Sequence, residues 1–240
     1  MLSTNSPTPL SEFWAGSRAI FPLIVGAIPF GIIFGTLATG SSLSLAGTLA
    51  MSAFVFAGSA QFIVLGLLTT GTALPLILLT TLVVNLRHLL YAISLLPYVR
   101  HLPQQWKIPI GFWLTDEAFA VAIARYSQND PSPYKHWYYL GAALPMYGNW
   151  QLCTLIGVSI GQRLPNSANW GLDFAMSVTF IGMVIPYLKT QPMLVTVLVA
   201  GVISVLAHPL PYQLALIVAA LAGVVAGLSA EKLQTKRCSR

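Results

Sequence analysis

Long apolar stretches alternate with short polar or Pro/Gly-rich breaks along nearly the whole chain. On that pattern the spans fall at residues 17–38, 45–69, 73–98, 108–125, 137–160, 172–188, 193–209 and 212–229, most of them near the roughly 20 residues that a spanning helix needs. The expected fold is an all-α polytopic membrane protein with about eight transmembrane helices. Two places strain the count. Asp116 and Glu117 interrupt 108–125, and HPLPY (His208 to Tyr212) parts the last two spans so briefly that a tight hairpin and a single broken helix both fit, leaving seven or eight.

A second pattern lies inside one of these spans. Placed on a helix at about 100° per residue, Thr80, Thr81, Asn85, Arg87, His88, Tyr91 and Ser94 fall on one half of the cylinder. Leu79, Leu82, Val83, Leu86, Leu89, Leu90 and Ile93 fall on the other, with Val84 an apolar intruder on the polar side. One face meets lipid and the other meets protein or water. An arginine at depth costs at least about 2.5–3.5 kcal/mol, so Arg87 requires a carboxylate, carbonyls, water or a ligand. The structural alternative is an ion pair with Asp116 or Glu117 that ties two helices together.

Composition agrees with the membrane assignment: 56% of the residues are hydrophobic and 8% charged, with a mean hydropathy of +0.75. A water-soluble domain carries about three times that share of charge. The net charge of +6 is explained by basic loops beside anionic headgroups, and no basic-aromatic pattern points to a nucleic acid. With eight spans and an inside N-terminus, Arg18, Arg125, Lys135, Lys189, Lys232, Lys236, Arg237 and Arg240 fall inside, against Arg100, Lys107 and Arg163 outside. Both termini are therefore expected in the cytoplasm. The expected organisation is a cytoplasmic tail at 1–14, one transmembrane domain at 15–230 and a basic cytoplasmic tail at 231–240. The N-terminal tail does not have the pattern of a signal peptide, and Cys153 and Cys238 suggest no disulfide framework.

The remaining polar residues at depth carry two meanings each. Asp116 and Glu117 point about 100° apart, so they cannot share one partner; one could pair while the other carries a proton, or Thr115 could cap a half-helix whose positive end favours both. FAGSAQF (Phe56 to Phe62) brings Gly58, Ser59 and Gln61 into the second span, as close packing or as a local unwinding whose free backbone groups bind a ligand. Pro29, among Gly26, Gly31 and Gly35, predicts a kink. A weak repeat divides the chain into two halves: GAIPFG (26–31) recurs as GAALPMYG (141–148), and AMSAFVFAG (50–58) as AMSVTFIG (175–182).

IPFGIIFG, MSAFVFAGSAQF, NLRHLLYAISLLP and TDEAFA, in this order and spacing from Pro22 to Arg125, resemble the AzlC family of branched-chain amino acid exporters. The resemblance implies an inner-membrane permease for leucine, isoleucine and valine, in some members methionine, working with a small AzlD-type membrane subunit. It carries no residue roles. From the residues themselves, Arg87 with Asn85, or the backbone from Gly58 to Gln61, could take a substrate carboxylate, with His88 and Tyr91 on the same face. Asp116 or Glu117 could take the ammonium or a coupling proton, and Phe54, Phe56 and Phe62 could form an aliphatic pocket. No cofactor, metal or nucleotide motif is expected. The rivals are a passive channel or non-transporting membrane subunit, and an intramembrane hydrolase strung from Ser59, His88 and Asp116, which no G-x-S-x-G or H-E-x-x-H motif supports.

Overall fold

The computed structural model describes residues 7–128, 132–163, 181, 185, 188–210 and 214–238, and all regular structure among them is helical. The helices are α1 (Pro9–Thr39), α2 (Leu45–Ala50) running into a π-helical turn (Met51–Val55), α3 (Gly58–Thr69), α4 (Leu74–Val99), α5 (Gln104–Phe112), α6 (Asp116–Tyr126), α7 (Lys135–Arg163), α8 (Gln191–Leu206) and α9 (Leu214–Cys238). By length and composition α1 and α4 are long and apolar enough to cross a membrane. The chain packs as two compact units, Met1–Gly66 with Val84–Leu172, and Leu67–Val83 with Asp173–Arg240. In the second, Gly223 and Gly227 of α9 close on Thr196 of α8. The expected span at 172–188 and the second copy of the AMS repeat lie almost wholly outside the described residues.

The first unit is built on α1 and α7, which run parallel. Phe13 meets Gly141 near one end, Gly31 meets Cys153 in the middle and Thr39 meets Gly161 at the other end. Glycine makes this approach possible: a Cβ on Gly35 would lie 2.2 Å from the Thr154 carbonyl oxygen, and one on Gly141 2.0 Å from that of Phe13. Hydroxyls bridge the seam, Ser17 donating to the Gly141 carbonyl (2.8 Å) and Thr36 to that of Gly157 (3.0 Å). At the N-terminal end Glu12 and Arg125 form a buried ion pair at 2.6 Å, with the guanidinium over the Tyr138 ring. Helix α1 starts at Pro9 behind a Thr8–Ser11 capping box, so Glu12, placed in a tail by the sequence, is instead packed between helices.

Two of the expected crossings are helical hairpins. Going along α2 and its π turn, Ser52 bonds Thr154, Ala53 bonds Tyr147 and Phe56 meets the Tyr147 ring, so this arm descends α7 toward its start. After the break Gly58 lies against Trp150, and Phe62 is edge-on to Phe34, whose neighbour Gly35 faces Thr154. Helix α3 therefore climbs back. The second hairpin is its reverse. Trp106 of α5 packs on His136 and Trp137, Ile110 accepts from Tyr139 and Trp113 reaches Tyr147; α6 then returns from Asp116 to Arg125, which holds Glu12. At about 1.5 Å per residue none of the four arms exceeds about 18 Å, well short of the roughly 30 Å that a crossing needs.

This corrects the expected spans at 45–69 and 108–125. Hydropathy measures the length of an apolar run and is blind to a reversal of direction inside it. Helix α4 runs alongside α6 in the same direction, Tyr91 stacked on Phe119 and Tyr98 on Tyr126. Arg100 and Lys107 consequently join Arg18, Arg125 and Lys135 at one end of the unit, which overturns their assignment to the opposite side. The sidedness of charge within this unit is stronger than the sequence suggested.

Candidate functional site

The tips of the hairpins meet at the middle of α7. Phe56 adopts a left-handed backbone (φ 41°), which for a residue with a Cβ costs on the order of 1–3 kcal/mol and is held here by packing on Tyr147 at 4.8 Å. The carbonyls freed by the π turn are taken up by α7: Gln151 Nε2 donates to Ser52 and the Tyr147 hydroxyl to Ala53. The second tip, Trp113 to Thr115, ends in a cap, with the Thr115 hydroxyl accepting from the Ala118 amide. Phe112 and Trp113 approach the same Tyr147 ring at 6.3 and 6.0 Å.

Arg87 joins the two tips from α4. Its Nη1 lies 2.8 Å from Asp116 Oδ2, and its Nη2 donates to Ser59 Oγ at 2.7 Å. The Tyr91 hydroxyl donates to the other oxygen of Asp116 at 2.5 Å. Asp116 thus has both oxygens engaged. Glu117 is half-buried and makes no ion pair among the described residues. His88 Nδ1 faces the Asn85 carbonyl at 3.3 Å, and its ring is edge-on to Tyr91.

Buried polar atoms without partners concentrate in this layer: both amide atoms of Gln61, Asn85 Oδ1, Arg87 Nε, Trp113 Nε1, Asn149 Nδ2 and Trp150 Nε1. Each such atom costs about 1–3 kcal/mol unless water or a ligand satisfies it. The set is rich in donors.

The structure brings Ser59, Arg87, Tyr91 and Asp116 together and places Asn85 and His88 within a turn of them on α4. Gly58 lies against Trp150, while Gln61 is fully buried, one turn beyond the tip. Pro29 lies within α1, whose helix runs on past it. On α4, Leu79, Leu82, Leu86, Leu89, Leu90 and Ile93 are exposed, as is Ser94 from the polar set. Phe54 is 76% exposed and Phe62 is packed on Phe34, so of the three expected pocket aromatics only Phe56 reaches the tips. Tyr147, Gln151, Trp150 and Trp113 were not singled out by the sequence, although four aromatic or amide residues within the polar run YGNWQ (147–151) of a membrane helix were a usable signal.

The model of the AzlC protein family matches residues 22–164, well over half of the chain and all of this layer. The chain belongs to the AzlC family. Among curated relatives of this family it is 29% identical over 234 residues to the inner membrane protein YgaZ of Escherichia coli K12, covering 93% of each chain. It is 32% identical over 177 residues to the branched-chain amino acid transport protein AzlC of Bacillus subtilis, covering 71% of this chain and 67% of that one. An uncharacterized membrane protein of Archaeoglobus fulgidus is 29% identical over 210 residues, covering 85% of this chain. No solved structure matches this AzlC-family chain.

Proposed function

We propose that this chain is the permease subunit of a secondary transporter that exports leucine, isoleucine, valine and, with them, methionine across a bacterial inner membrane. The observation that carries the proposal is the junction of the two hairpin tips at Arg87 and Tyr147, where half-helix ends and unpartnered donors gather beside the middle of α7. Such breaks are where carriers bind zwitterions, because free backbone and side-chain dipoles can solvate both charges away from water. The Arg87 Nε and Trp113 Nε1 donors suit the substrate carboxylate. Phe56, Tyr147, Phe112 and Trp113 form the aromatic wall against its aliphatic chain, and such a wall separates side chains that differ by one methylene by about 1–3 kcal/mol. The named activity of the Bacillus subtilis relative supports this substrate class.

The basic end of the first unit faces the cytoplasm in this reading, with both chain termini on that side. A small AzlD-type subunit completes the carrier, and the chain is a carrier rather than an enzyme. The test is counterflow in proteoliposomes, with and without the co-expressed small subunit. Unlabelled leucine inside should drive uptake of labelled leucine above its equilibrium level. Purely downhill flux with no such overshoot indicates a channel, and no flux in either preparation rejects a transport role.

A further inference from the structure

Glu117 stands apart from the other acids of the first unit. Glu12 is held by Arg125, and Asp116 by Arg87 and Tyr91, whereas Glu117 has no ion pair among the described residues. It lies in the first turn of α6, at the tip of a hairpin whose arms, Gln104–Phe112 and Asp116–Tyr126, are too short to cross a bilayer. On its side of α6, Ala120 and Ala124 are exposed. A carboxylate at that depth does not persist against lipid: it binds a proton, or its face is lined by water and a cation. Two further observations point to a ligand at this tip, since Trp113 Nε1, four residues away, and Arg87 Nε, on the residue that holds Asp116, are buried donors without acceptors.

Resting on the functional reading above, we infer that Glu117 is the exchange site of the carrier, where a proton and the α-ammonium of the substrate compete for one carboxylate. Ionised Glu117 binds the ammonium. When the substrate leaves, the carboxylate takes a proton from the outer side, and the protonated form returns and releases it inside. One positive charge is exchanged for another at one group, so substrate and proton move in opposite directions without a second ion site. The charged groups acting on Glu117 are Asp116 on its own helix and Arg87 on α4, with His88 and Tyr91 beyond them. From the helices packed on α6, Glu12 and Tyr138 lie toward its far end, and Tyr139 is in the core with Ala118 and Ala122. Asp116 holds the frame in which this exchange occurs.

The test uses the full chain with its small partner subunit, and dicyclohexylcarbodiimide, which reacts with protonated carboxyls in apolar surroundings. Peptide mapping should find the label on Glu117, and leucine should slow its appearance severalfold. Leucine binding to the wild-type complex should weaken as the pH falls, by up to about tenfold per pH unit, and should release protons into weakly buffered medium. Both effects should vanish in E117Q and return in E117D. Active exchange with Glu117 unlabelled, or labelled at a rate leucine does not change, overturns the inference alone, as does proton release that survives in E117Q. A wild-type complex that neither exchanges leucine nor is protected by it overturns the functional reading, and the inference with it.

Discussion

The Arg87 guanidinium and the Asp116 carboxylate face each other at 2.8 Å, and each also bonds a hydroxyl, Ser59 for the arginine and Tyr91 for the aspartate. One helix thereby fastens both hairpin tips. Removing one member of such a pair leaves an unpaired charge at a cost of about 3–5 kcal/mol, whereas neutralising both costs far less. D116N should therefore lower the melting temperature in detergent and the yield of folded protein, and R87Q/D116N should recover much of both. Equal stability of D116N and wild type would show that the pair is not structural.

The doubled-back second hairpin predicts a specific sidedness. In a variant lacking both natural cysteines, H101C and Q128C should react with a membrane-impermeant maleimide from the same side, and S42C only from the opposite one. A fully crossing segment at 108–125 would instead put His101 and Gln128 on opposite sides.

Helix α4 predicts a periodic labelling pattern. Cysteines at Leu82, Leu86 and Leu89, all exposed on the apolar face of α4, should be buried in lipid and inert to water-soluble thiol reagents. Cysteines at Asn85 and His88 should react, and leucine should shield them. Equal labelling of the two faces would contradict a water-accessible polar layer.

The α1–α7 seam can be tested with a single methyl group. G35A places a Cβ against backbone, where nothing can rotate away, and should cost about 1–3 kcal/mol. G26A meets nothing within 4 Å and should be neutral or stabilising. Equal melting temperatures for these two variants would mean that the helices separate at Gly35 at no cost.

Much of the site was legible in the sequence because the signal is local. The polar face of α4, the pairing demand of Arg87 and the cap at Thr115 follow from helical geometry and the cost of charge in lipid. The reversal of direction at Phe56 and at Trp113 was not legible, because apolar arms on either side of a tip read as one span whether the chain crosses or turns. Tyr147 was legible only as part of the polar run YGNWQ (147–151), because its role depends on both tips arriving beside it. Glu12 was misplaced for a related reason: it is polar, close to the N-terminus, and its partner Arg125 is 113 positions away.

The shortness of the four hairpin arms bears on the order in which the protein is made. A segment little more than half as long as the hydrocarbon core gives the insertion machinery too little apolar length to hold it across the bilayer, and the first tip leaves carbonyls at Ser52 and Ala53 that α7 satisfies. Both hairpins are synthesised before α7, so neither tip can dock on Tyr147 until that helix has been inserted. Translation arrested before residue 135 should leave α1 and α4 in the bilayer and the four hairpin arms open to protease, with the two tips docking only as α7 enters.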